Sequence, residues 1–126
     1  MRNYKTLKVW EKSRINVSSI YSLTSSFPEE EKFGLISQLR RASISVPSNI
    51  AEGCSRNSDK DFKRFLEIVL GSSFEIETQL ILSVDLGFTN QETASESIDK
   101  IKEIQKMLNG LINKFTTWTL SLKPCN

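Results

Sequence analysis

The side chains in this sequence that could do chemistry are a thiol, a set of carboxylates, two adjacent arginines and a cluster of basic residues. Cys54 could act as a nucleophile, but nothing nearby in sequence would activate it. The chain has no histidine, which removes the Ser-His-Asp and Cys-His devices and the Glu-x-x-His motif of di-iron bundles. Glu67, Glu75, Glu77 and Asp85 are the carboxylates that could hold a hard cation, yet Glu75 and Glu77 point to different sides of a helix. No Gly-x-x-x-x-Gly-Lys phosphate loop occurs. No catalytic, metal-binding or cofactor-binding residue is therefore assigned, and a non-enzymatic protein is expected.

Arg40 and Arg41 lie in the run Gln38-Leu39-Arg40-Arg41-Ala42. If their segment folds back on the next about a turn near residue 57, Arg40 comes level with Glu75, and Arg41 within a turn of Glu75 and Glu77. A planar guanidinium meets a carboxylate with two hydrogen bonds. The expectation is a structural ion pair between these residues, within or between protomers. Direct phosphate binding by the two arginines is the alternative.

The elements that must position these residues are helices. Phe27-Pro28, Gly53 to Ser58 and Gly87 to Asn90 break the chain. Glu29, Glu30 and Glu31 suit a helix start, where carboxylates meet the positive end of the macrodipole. Ser58 reads as an N-cap, Thr89 with Glu92 as a capping box and Gly87 as a left-handed helix stop, while Lys123-Pro124 ends the last segment. The four segments, at about residues 7–25, 29–55, 59–86 and 91–121, repeat apolar residues every three or four positions. The fourth carries a seam from Ile98 through Leu108, Ile112 and Thr119 to Leu122, with Ile104, Leu111 and Trp118 beside it. The first, with Val9, Trp10, Ile15, Val17, Ile20 and Tyr21, is the least regular. Breaks of a few residues force sequential neighbours antiparallel. The fold class is all-α: one domain over residues 1–126, an up-down-up-down four-helix bundle kinked at Pro47 in helix two. That kink either fits the helix around its neighbours or exposes the Ser48-Asn49 backbone to a ligand.

Helix three carries two apolar stripes. Phe62, Leu66, Val69, Ser73, Ile76 and Leu80 form one; Leu70, Phe74, Ile81, Val84 and Phe88 form the other. A two-sided apolar helix needs more neighbours than a lone bundle supplies. Leu70, Phe74 and Ile81 are accordingly the candidate oligomer interface, and the partner is a second copy of the chain.

The net charge of +2 is modest, but its placement is not uniform. Residues 65–99 contain seven acids and no lysine or arginine. Folding the chain up and down gathers Arg2, Lys5, Lys8, Arg56, Lys60, Lys63, Arg64 and Lys123 at one end. The other end collects Glu29, Glu30, Glu31, Asp85, Glu92, Glu96 and Asp99. Lys5, Lys8, Arg56, Lys60, Lys63 and Arg64 are the candidate residues for binding RNA or DNA phosphates; solvated helix ends are the plain alternative. Few aromatics interleave them, so base stacking is minor. No apolar run reaches the length of a membrane span, no signal peptide is read at the start, and Cys54 and Cys125 have no disulfide or zinc spacing. A cytoplasmic location is expected.

Several segments, in order, resemble one family. They are Leu7-Lys8-Val9-Trp10, Phe27-Pro28, Phe33-Gly34-Leu35, Gln38-Leu39-Arg40-Arg41-Ala42, Val46-Pro47-Ser48-Asn49-Ile50-Ala51-Glu52-Gly53, Phe65-Leu66, Gly71-Ser72, Glu77-Thr78-Gln79-Leu80 and Leu86-Gly87-Phe88. Over about residues 4–115 the chain resembles the bacterial 23S rRNA intervening sequence protein family, or S23 family. Ser43 and Val46 stand where alanine and isoleucine are common. The resemblance implies a four-helix protomer assembling into a ring, typically a homopentamer. Relatives include the accessory variability protein of diversity-generating retroelements, which binds nucleic acid and works with a reverse transcriptase; a reverse transcriptase or another protein is thus an implied partner. The resemblance carries over no catalytic residue. Together these readings give a non-enzymatic oligomeric scaffold that associates with nucleic acid through a basic end. Its rival is a protein-protein adaptor without nucleic-acid binding.

Overall fold

The computed structural model describes residues 2–121, with side chains to residue 116. Lys123, Pro124, Cys125 and Leu122, together with the side chains of Trp118 and Thr119, lie outside the described residues. Four α-helices make up the fold: α1 (Lys8–Thr24), α2 (Leu35–Cys54), α3 (Asp59–Asp85) and α4 (Gln91–Ser121). Short 3₁₀ turns at Tyr4–Thr6 and Glu29–Glu31 precede α1 and α2. Each helix packs on its two neighbours, α1 on α2, α2 on α3, α3 on α4 and α4 back on α1, and the side chains of all four share one core. This is the antiparallel four-helix bundle.

The helix ends follow from local chemistry, with two corrections. Ser58 caps α3, its Oγ accepting from the Asp61 N–H at 3.1 Å. Gly87 ends the same helix at φ 78°, the Phe88 N–H reaching the Ser83 carbonyl and the Gly87 N–H that of Val84. That pair of bonds is the Schellman arrangement, and the left-handed backbone suits glycine. Thr89 does not cap α4. Asn90 does, its Oδ1 accepting from the Thr93 N–H at 2.8 Å. Helix α2 begins at Leu35 and not at Glu29, because Gly34 (φ −106°, ψ −118°) breaks the helical course. Glu31 still serves that helix end: its Oε1 accepts from the Leu35 N–H at 3.2 Å.

Pro47 sits inside α2, with helical turns on both sides of it. A proline there removes one backbone donor. Ser43 Oγ, Ser45 Oγ and Asn49 Nδ2 donate to the carbonyls of Arg40, Ala42 and Ser45 in the turns around it.

The core holds Ile20, Leu39, Val46 and Ile50 with Leu66, Ile76, Leu80, Ile101, Ile104 and Leu108, all at or below 1% exposure. Helix α1 reads poorly in sequence because half its buried face is polar: Ser13, Asn16 and Thr24 are buried while Ile15 and Tyr21 are exposed. Two hydroxyls there satisfy themselves on their own helix, Ser13 on the Trp10 carbonyl and Thr24 on that of Ile20.

Candidate functional site

The basic end is built where the N-terminal segment crosses the α2–α3 turn. The Arg2 N–H donates to the Cys54 carbonyl at 3.3 Å, and its guanidinium pairs with Asp59 while lying 4.2 Å from the centroid of the Phe62 ring. Tyr4 meets Trp10 edge-on with ring centroids 5.0 Å apart, which fixes the 3₁₀ turn carrying Lys5 against the start of α1. Lys5 and Lys8 are thereby brought to the same end as Arg56, Lys60, Lys63 and Arg64. A shallow depression of about 430 Å³ lies between the N-terminal turn and the end of α2, lined by Arg2, Asn3, Tyr4, Lys5, Ala51, Cys54 and Ser55.

The six candidate residues divide into two kinds. Arg56 pairs with Glu52 at 3.2 Å and packs on the Phe65 ring at 4.9 Å; Arg64 stands 3.9 Å from Asp61 and 5.1 Å from the same ring. Phe65 is 6% exposed, with both guanidiniums over its ring. With Arg2 on Asp59, each arginine of this end holds one carboxylate. Lys5, Lys8, Lys60 and Lys63 hold none among the described residues. The arginines are partly committed to the fold, and the positive surplus is carried by lysine.

Cys54 is buried and lies beneath this surface. Burial pushes its thiol above the ordinary range, and the charge of Arg2 pulls it back in part. A thiol so placed stays protonated at neutral pH and is a poor nucleophile.

The structure does not bring Arg40 to α3. Its Nε donates to Thr24 Oγ1 at 2.9 Å, and its guanidinium lies 4.4 Å from the Tyr21 ring centroid, both on α1. The height of the expected pairing is right and its direction is not. Gln79 Nε2 donates to Gln38 Oε1 at 3.2 Å, so Gln38 faces α3, and two residues further round a 3.6-residue helix point the other way. Glu75 instead accepts from Gln79 and Glu77 from Gln105, at 3.2 and 2.8 Å. Glu77 thus turns toward α4, while Glu75 stays exposed on its own helix, so the two carboxylates do not share an ion. No cluster of three His, Cys, Asp or Glu side chains suited to a metal forms among the described residues. Arg41 is exposed and makes no ion pair within the described chain. Among the described residues neither Arg40 nor Arg41 pairs with a carboxylate of its own chain; pairing between copies stays an expectation.

Of the interface candidates, Leu70 is half-buried, whereas Phe74 and Ile81 are 50% and 47% exposed. The sequence reading missed a second apolar feature. Phe33 is 90% exposed and lines a groove of about 470 Å³ between α1 and α2 with Tyr21, Lys32, Ile36, Ser37, Arg40, Arg41 and Ile44. The signal in the sequence is a phenylalanine directly before Gly34, the residue at which the helical course breaks.

No helix is long and apolar enough to cross a membrane among the described residues. No curated protein matches the chain. A crystal structure of a protein of unknown function from the S23 ribosomal protein family of Bacteroides thetaiotaomicron VPI-5482 is similar to it, with a TM-score of 0.75 and 27% identity over 82% of this chain and 97% of that one. The family model for the 23S rRNA-intervening sequence protein matches residues 5–110. With a bundle of the same shape and a match over most of its length, the chain belongs to the 23S rRNA-intervening sequence protein family.

Proposed function

We propose that this protein is a non-enzymatic, self-assembling scaffold of the bacterial cytoplasm that holds RNA or DNA by its phosphate backbone. The observation that carries the reading is the division of labour at the basic end. Asp59 and Glu52 pair with Arg2 and Arg56, and Asp61 lies 3.9 Å from Arg64, while Lys5, Lys8, Lys60 and Lys63 have no acidic partner among the described residues. Flexible ammonium groups on helix ends suit phosphate contacts that set no sequence preference. In a ring whose protomers point the same way, a pentamer above all, these ends add to one positive face. The exposed Phe74 and Ile81 support the assembly.

Binding of a labelled RNA hairpin, followed by fluorescence anisotropy, tests this. Four lysines releasing about three to four counterions make the affinity fall about 50- to 150-fold between about 50 and 200 mM salt, and more steeply if several protomers share one strand. Replacing all four lysines by glutamate abolishes binding, whereas Arg64→Gln weakens it little. Absence of wild-type binding at low salt overturns the reading. The second reading, an adaptor docking a reverse transcriptase or another protein, then takes its place. That reading is favoured by the opposite end, where Glu29, Glu30, Asp85, Glu92 and Asp99 have no cationic partner among the described residues.

A further inference from the structure

Two surfaces of this chain are unsatisfied in complementary ways. The outer face of α3 exposes Phe74, Ile81, Leu82 and Leu86 at 43–60%. From residue 67 onward its exposed charges, Glu67, Glu75 and Asp85, are all negative and none has a cation among the described residues, while Lys60 and Arg64 stay at the first turns of the helix. The α1–α2 groove exposes Phe33, Ile44 and Tyr21. Its charges, Lys32, Arg40 and Arg41, are all positive and none pairs with a carboxylate among the described residues.

The two surfaces also match in height. The Gln38–Gln79 hydrogen bond sets α2 and α3 level at those residues. Stepping along the antiparallel pair, Arg41 stands level with Ile76, next to Glu75. Ile44 stands level with Ser73, next to Phe74. Phe33 and Lys32 stand level with the last turn of α3, which holds Leu82, Asp85 and Leu86. Two copies side by side and pointing the same way would therefore meet apolar to apolar, with Arg41 at the height of Glu75 and Lys32 at that of Asp85. Gly71 lies on the same outer face, and a Cβ there would touch nothing in its own chain. Mid-helix glycine costs about 1 kcal/mol against alanine, so its own chain supplies no reason for it.

We infer that α3 of one copy seats in the α1–α2 groove of the next, head to tail, with Arg41 on Glu75 and Ile44 on Phe74. This assignment rests on the self-assembly proposed above and names the surfaces that make it. Each chain offers one groove and one face on different sides, so the contact propagates until a ring closes.

Sedimentation velocity of the full chain tests it. Wild type sediments as a closed oligomer. Arg41→Glu and Glu75→Arg each raise the dissociation constant about thirty-fold or more, and the two together in one chain restore assembly. Phe33→Asp, which spoils the groove, and Phe74→Asp, which spoils the face, each leave a folded 14.4 kDa monomer by circular dichroism. Mixed in equal amounts they form a dimer and stop there, because one intact contact remains. A wild type that stays monomeric at every concentration overturns the assembly itself. A wild type that assembles while Arg41→Glu and Phe33→Asp change nothing, or variants that stay monomeric when mixed, overturns this assignment alone.

Discussion

Substituting Gly53 by alanine probes the tightest place in the bundle. Gly53 lies in the last turn of α2, where that helix meets the start of α3. A Cβ on it would stand 2.8 Å from the Phe65 Cβ and 3.4 Å from Phe62 Cδ1. Ordinary contact between two such carbons begins near 3.5 Å. The Phe65 Cβ is fixed to its backbone, so no rotamer relieves the overlap and the helices must part by roughly 0.7 Å. A gap of that size forfeits a quarter to a half of each contact across the seam. Phe62 and Phe65, 2% and 6% exposed, hold those contacts. Overpacking of this kind costs about 1–3 kcal/mol. The gain in helix propensity returns at most about 1 kcal/mol, less in a last turn. The net expectation is a loss of about 0.5–2 kcal/mol, or a fall in Tm of about 2–8 °C for a chain of this length. Gly110 is the control: it is exposed inside α4 and a Cβ there meets nothing, so Gly110→Ala stabilises by about 0.5–1 kcal/mol. Urea unfolding followed by far-ultraviolet circular dichroism, at one fixed protein concentration, measures both. If Gly53→Ala is as stable as wild type, the close approach of α2 and α3 is not the constraint argued here.

Two further outcomes follow from buried groups. Cys54, raised by burial, stays a thiol in the folded protein at pH values where the unfolded chain ionises. The folded state therefore holds more protons, and stability declines as pH rises through the ordinary thiol range of about 8.5; a Cys54→Ala variant lacks that decline. In a Cys125→Ser background, iodoacetamide labels Cys54 far faster in urea than in buffer, and equal rates would show the thiol to be accessible. Asn16 is 2% exposed, its Oδ1 has no donor among the described residues, and it lines a cleft of about 210 Å³ between α1 and α4. Asn16→Leu removes that unpaired acceptor into a space with room for it, raising stability by about 1 kcal/mol in the same unfolding assay. A loss of stability would mean that the Asn16 amide is satisfied in solution.

Arginine and lysine divide the basic end in a way that bears on where a nucleic acid would touch it. A guanidinium has a planar face and a fork of donors, so Arg56 can cover Phe65 and hold Glu52 at once. Lysine's compact ammonium gains less from such packing and stays in solvent. Charge-reversal at Arg56 therefore mixes a change in folding with a change in surface potential. Lys60 and Lys63 report on the potential more cleanly.

The helices were legible in the sequence because burial repeats every three to four residues. Phe62, Leu66, Val69, Ile76 and Leu80 are all buried where that period puts them. The turn chemistry at Ser58 and Gly87 was legible because caps are chosen locally. Membership in the family was legible too, from an ordered set of short segments. Only the tertiary structure decided where long polar side chains turn. Arg40 and Gln38 are two residues apart on one helix, yet one reaches α1 and the other α3. A sequence pattern gives the height of such residues on a helix more readily than the neighbour they face. The start of α2 was likewise settled by Gly34, whose backbone broke a run that composition alone would extend to Glu29. Period and caps act within a few residues of the chain. Ion pairs and grooves depend on which helix faces come together, and that is fixed only when the whole core packs.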